Sequence, residues 1–150
     1  MISRFQKRNR RGFTFTELIL VVGMIVILAA VSVPVLQSFQ VGNDLSVSVN
    51  VITQTLRRAQ SLSQSMVSDT SWGVSIQSGA IILFKGTSYS LRDPSFDEIF
   101  DMPKSITPSG VGEIVFSKFS GEPQVTGDII LTTPNQLKTI SINKKGILTY

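Results

Sequence analysis

Gly12-Phe13-Thr14-Phe15-Thr16-Glu17 leads directly into Leu18-Ile19-Leu20-Val21-Val22-Gly23-Met24-Ile25-Val26-Ile27-Leu28-Ala29-Ala30-Val31-Ser32-Val33-Pro34-Val35-Leu36. The second stretch is 19 residues long, and no charge occurs from Leu18 to Asn43. That matches the roughly 20 apolar residues a helix needs to cross about 30 Å of hydrocarbon. Glu17 stands at its threshold. A carboxylate costs about 2.5–3.5 kcal/mol at the centre of a membrane helix on insertion scales, so Glu17 is a candidate functional residue. Pro34 deletes one backbone hydrogen bond and is expected to kink or locally unwind the helix. Gly23 is a second weak point, since glycine costs about 1 kcal/mol relative to alanine in a helix interior.

Upstream, Arg4, Lys7, Arg8, Arg10 and Arg11 crowd the first eleven residues. They are five of the 14 Lys+Arg, so nine remain from Phe13 onward against ten acids, a net of −1. The pI of about 9.7 therefore belongs to the N-terminal tag. Flanking arginines predict a cytoplasmic N-terminus with the rest of the chain exported. A conventional secretory signal carries a shorter apolar core followed by a small-residue cleavage site. Here the small residue, Gly12, precedes the apolar run, and a cut there removes the tag while leaving the anchor.

At 150 residues the chain is one domain, or one domain plus an anchor. It contains no cysteine and no histidine, which excludes disulfides, thiolate chemistry, histidine-based catalytic pairs and histidine-ligated metal. No cofactor, metal site or catalytic residue is expected, and the reading is not that of an enzyme.

Beyond the apolar run, Leu45, Val49, Ile52, Leu56, Ala59, Ser63 and Met66 recur at alternating spacings of four and three. This is one apolar stripe at helical period, with Ser63 as its polar member. It predicts a helix from about Thr14 to Ser68, roughly 80 Å at 1.5 Å per residue. Its other faces are rich in Ser, Thr, Gln and Asn and suit packing beside further copies. From Asp69 the pattern turns to period two. Strands are expected at Trp72–Ile76, Ala80–Lys85, Thr87–Leu91, Ile114–Phe119, Asp128–Thr132, Leu137–Asn143 and Ile147–Tyr150. Residues 92–113, with three prolines, read as irregular, with a short helical turn near Phe96–Phe100. The fold class is α+β, a long helix with an antiparallel sheet on its outer half.

Together the basic leader, Gly12-Phe13, Glu17, the apolar run and Pro34, 21 residues after Phe13, resemble type IV prepilins and type II secretion pseudopilins. The C-terminal pattern of Phe116, Phe119, Gly127–Leu131, Thr139–Ile142 and Gly146-Ile147 resembles the H-type minor pseudopilins (the GspH/FimT group). Phe15 and Thr16 stand where many members carry aliphatic residues. The resemblance implies a pilin-like fold in four segments: residues 1–12 as leader, 13–36 as membrane helix and filament core, 37–68 as its amphipathic continuation, 69–150 as an extracytoplasmic β domain. It implies that prepilin peptidase cuts Gly12–Phe13 and methylates the Phe13 amine. It also implies that Glu17 pairs with the Phe13 ammonium of a neighbouring subunit and so sets the stagger. The implied partners are prepilin peptidase, other pilins or pseudopilins, membrane lipid before assembly, and an inner-membrane assembly platform with its ATPase. The implied location is the cytoplasmic membrane, then the pilus or pseudopilus.

Four further groups stand out in the sequence. Asp93, Asp97, Glu98 and Asp101 would suit a hard cation, but they lack a calcium-loop pattern and read as a solvated loop. Ser109-Gly110-Val111-Gly112 lacks the lysine of a phosphate loop and reads as a loop. Arg57-Arg58 reads as helix surface opposite the stripe. Lys144-Lys145 at a hairpin tip, with Lys138 near them, form the basic group able to meet nucleic-acid phosphates, with weak and salt-sensitive affinity. Two function classes follow: a structural pilin-type subunit, and a DNA-binding minor pilin of an uptake system.

Overall fold

A computed structural model describes residues 12–150, apart from the side chains of Val33, Pro34, Val35 and Ser38. The chain divides into two compact units, one ending at Gln37 and the other comprising Ser38–Tyr150. Helix α1, Phe15–Gln64, contributes to both.

In the first unit the window Phe15–Ser32 has a mean hydropathy of 2.5, and none of it is buried. Leu18, Leu20, Met24, Ile27 and Val31 are all exposed, so the helix is apolar on every side. Such a helix is stable only where lipid or other protein covers it. Ser32 donates its hydroxyl to the Leu28 carbonyl at 2.8 Å, which hides the one hydroxyl of the window's last turn. Among the described residues there is thus one helix, near the N-terminus, long and apolar enough to cross a membrane. The helix is assigned continuously through Gly23 and Pro34. The proline's side chain lies outside the described residues, as do residues 1–11 of the expected leader.

The second unit is α+β. Leu45, Val49, Ile52, Leu56, Ala59 and Ser63 of α1 are all buried. The five apolar ones share one core with Val74, Leu83, Phe116, Leu131 and Ile140. Two four-stranded antiparallel sheets supply those partners, where one was expected. The first contains β1 (Trp72–Gln77), β2 (Ala80–Lys85), β3 (Asp93–Asp101) and β5 (Glu113–Phe116), ordered β3-β2-β1-β5. The second contains β4 (Thr107–Gly110), β6 (Gly127–Thr132), β7 (Leu137–Ile142) and β8 (Leu148–Thr149), ordered β4-β6-β7-β8. Val111-Gly112 stitches them together: Val111 N–H donates to the Asp128 carbonyl, and the Gly112 carbonyl accepts from Ile76 N–H. The chain turns into this link at Gly110, where φ is +81° and a Cβ would collide with the Asp128 carbonyl. Ser109-Gly110 is thus the end of a strand, and only its continuation is loop.

Other expectations are corrected here. Helix α1 stops at Gln64 rather than near Ser68, because Met66 and Ser68 take φ of 52° and 60°. Met66 is consequently exposed. Thr87–Leu91 is not a strand. It holds a 3-10 turn at Tyr89–Leu91, begun by Ser88, whose hydroxyl accepts from Leu91 N–H. Residues 92–113 contain two strands and no helical turn at Phe96–Phe100. Strand β3 lies at a sheet edge, where Pro94 and a run of acids are the ordinary means of blocking further pairing. The polar residues Ser48, Thr53 and Thr55, read as available to other copies, are buried within this unit.

Strand β1 does not alternate between core and solvent; Trp72 to Ile76 are all buried. Its second face is covered locally. The Phe84 ring sits over Gly73, whose Cβ would fall 2.5 Å from it. Tyr89 packs edge-on to Phe84 at 5.6 Å, and its N–H donates to Glu113 at 2.8 Å.

Candidate functional site

The N-terminal junction is built by the first turn of α1. Gly12, Phe13 and Thr14 precede the helix and are exposed. Thr14 is the cap: its Oγ1 accepts from Glu17 N–H at 3.3 Å, and its carbonyl accepts from Leu18 N–H at 3.2 Å. Thr14-Phe15-Thr16-Glu17 therefore has the spacing of a capping box, a local signal that the residue-by-residue reading passed over. The Glu17 carboxylate also lies in the first turn, where the helix dipole favours a negative charge.

Phe13, Glu17, Leu18 and Val21 line one shallow apolar groove of about 290 Å³. Glu17, Leu18 and Val21 are three and four apart and share a helix face, and Phe13, just before the helix, lies against it. The lining of the groove is wholly apolar, so Glu17 contributes its aliphatic stem to it and not its carboxylate oxygens. Chemically the junction offers one carboxyl group beside an apolar surface. It contains no nucleophile or general acid–base pair.

The three lysines do not form a group. The register pairs Leu131 with Lys138 and Ile129 with Ile140, so Lys138 shares the face of β7 that the buried Ile140 turns to the core. At this end Gln136 lies against Gly42 of α1. Lys144 and Lys145 sit in the β7–β8 turn at the other end, where the Lys145 carbonyl accepts from Gln60 Nε2 at 3.2 Å. Gly42 and Gln60 are separated by roughly 27 Å of helix. The expectation that Lys138 lies near the Lys144-Lys145 tip is therefore corrected, because strand length carries them apart.

The acidic run is likewise not a solvated loop. Arg92 donates Nε–H to Asp97 Oδ2 at 2.7 Å, and its guanidinium lies 3.8 Å from the Tyr89 ring centroid. The Asp97 hydrogen bond raises the already high Arg92 pKa. Asp97 Oδ1 is buried without a partner among the described residues. Asp93 accepts from the hydroxyl and N–H of Ser95, which lowers its pKa. Glu98 receives both guanidinium nitrogens of Arg58 at 2.6 and 2.7 Å. Arg58 thus reaches the sheet edge rather than facing away from it, while Arg57 is exposed. Among the described residues no three carboxylates converge as a metal site. Comparison with protein-family models, curated proteins and solved structures finds no match to this chain.

Proposed function

We propose that this chain is a minor pilin or pseudopilin, a structural subunit rather than an enzyme. In this reading prepilin peptidase cuts Gly12–Phe13 and methylates Phe13, and the subunit waits in the cytoplasmic membrane before joining a short filament. The supporting observation is one acidic residue, Glu17, whose aliphatic stem lines a groove with Phe13 at the mouth of an all-round apolar helix. That helix is continuous with a unit whose own amphipathic stripe is fully covered.

Lipid satisfies the bare helix before assembly, and neighbouring helices satisfy it afterwards. Transfer from lipid into a helix bundle leaves Glu17 and the new Phe13 ammonium in apolar surroundings. Either one unpaired costs several kcal/mol. A neighbour docked at the correct stagger pairs them; one docked a turn away pairs neither. The charge pair thus contributes registration, and the helix surface contributes adhesion.

Glu17→Gln is the direct test. Cleavage, which precedes assembly, proceeds as in the wild type. The subunit then fails to appear in sheared filaments and stays in the membrane. Wild-type incorporation of Glu17→Gln would overturn the registration role. The DNA-uptake alternative now rests on Lys144 and Lys145 alone, which gives it only weak, salt-sensitive phosphate contact.

A further inference from the structure

We propose that the cleft between the start of α1 in the second unit and the β6–β7 turn seats the phosphate of an anionic phospholipid headgroup. Phe39, Gly42, Asn43, Ser46, Gln136 and Lys138 line it, and its volume is about 410 Å³. The inference rests on the membrane-anchored reading above and goes beyond it by naming a lipid site.

Lys138 is the central observation. Along β7 the helix-facing positions are Lys138, Ile140 and Ile142, and the last two are buried core. Lys138 occupies the next position in that row, where the core runs out. It makes no ion pair or hydrogen bond among the described residues. An ammonium directed along an apolar face toward an open cleft calls for an anion there.

The space is created by Gly42, since a Cβ at that position would come 3.3 Å from the Gln136 amide nitrogen. The amides of Gln136 and Asn43 are further donors beside the ammonium. Asp44, the nearest carboxylate in sequence, falls on the opposite side of the helix from Gly42, Asn43 and Ser46. Exposed Phe39 lines the cleft, which combines a basic centre with an apolar edge as a headgroup layer requires.

Proximity to lipid follows from chain length alone. Phe39 is three residues past Leu36, the end of the apolar run. Three residues reach about 5 Å as helix and about 10 Å fully extended. The headgroup layer is itself roughly 5–8 Å thick on each side of the hydrocarbon. The cleft is therefore tethered at the depth where lipid phosphates lie.

The test uses the full chain, purified from membranes and given phosphatidylglycerol or phosphatidylcholine, with retained lipid counted by native mass spectrometry. Phosphatidylglycerol should be retained preferentially. Lys138→Glu should reduce that retention at least about fivefold, given the usual strength of one lysine at an anionic surface. Gly42→Leu, which fills the cleft without altering charge, should reduce it as well, and Lys144→Glu/Lys145→Glu should not. The Trp72 fluorescence of each variant reports that the second unit is folded. Equal retention by wild type and Lys138→Glu, or an equal loss from the Lys144/Lys145 variant, overturns the site. Release of the wild-type chain by alkaline carbonate overturns the membrane-anchored reading itself. Retention in carbonate without headgroup preference overturns only the lipid site.

Discussion

Ser63 illustrates how one polar residue earns a place in an apolar stripe. It is fully buried, and its hydroxyl accepts from Trp72 N–H at 2.9 Å. Its carbonyl accepts from Phe119 N–H. The serine thus fastens the first residue of β1 to the last turns of α1. Ser63→Ala leaves the Trp72 N–H buried and unpaired, and should lower stability by about 1–3 kcal/mol. Chemical denaturation followed through Trp72, the chain's one tryptophan, measures it. Gly73→Ala should cost a similar ~1–3 kcal/mol by overpacking against Phe84. At Asp93 the donors from Ser95 hold the folded pKa below the ordinary 3.8. A lowered carboxyl pKa stabilises the fold above the ordinary value and loses that effect as pH falls through the folded one. The stability gap between wild type and Asp93→Asn should therefore close below about pH 3.8, as an unfolding series against pH would record. Ser63 was visible in the sequence only as an exception within a periodic stripe. Its partner was not visible, because a backbone N–H nine residues away leaves no mark on composition.

Among the elements, β3 shows most clearly where sequence patterning loses its force. Proline and four acids within nine residues imitate a loop, yet they decorate the outer strand of a sheet. Periodicity reports a strand when one face is buried and the other solvated, and β3 is largely exposed along its length. The helix stripe was legible for the opposite reason, since six successive contacts at helical spacing are all core. Strand β1 was legible as a strand but not as one buried on both faces, because its second cover comes from Phe84 and the Tyr89 turn. The fork between Arg58 and Glu98 joins α1 to β3, but its side chains are 53% and 42% exposed. Exposed pairs contribute little, so Glu98→Ala should change stability by no more than about 1 kcal/mol. The β7–β8 turn is a stricter joint. Gly146 has φ of +74°, and a Cβ there would collide with the Gln60 amide that holds the turn to α1. Gly146→Ala should destabilise the second unit more than Glu98→Ala does, in the same denaturation experiment.

For the whole molecule, α+β architecture and one bare apolar helix are the features that order the rest. The division into a covered unit and an uncovered one explains why the same helix has a stripe in one part and none in the other. The apolar run and the change to period two were readable because each rests on many residues. The number of sheets, the separation of Lys138 from Lys144, and the cleft beside Gly42 depend on which strands pair, and no local pattern encodes that. We read the bare helix, Glu17 and the cut at Gly12 as one device for building a filament from the membrane. The cut is its first step and requires nothing of the neighbours. Intact mass measurement of the chain extracted from membranes of a host containing prepilin peptidase tests it most directly. The account predicts a chain beginning at Phe13, lacking residues 1–12 and carrying one added methyl group on its N-terminus. A chain that retains Met1 through Gly12 in that host would contradict it.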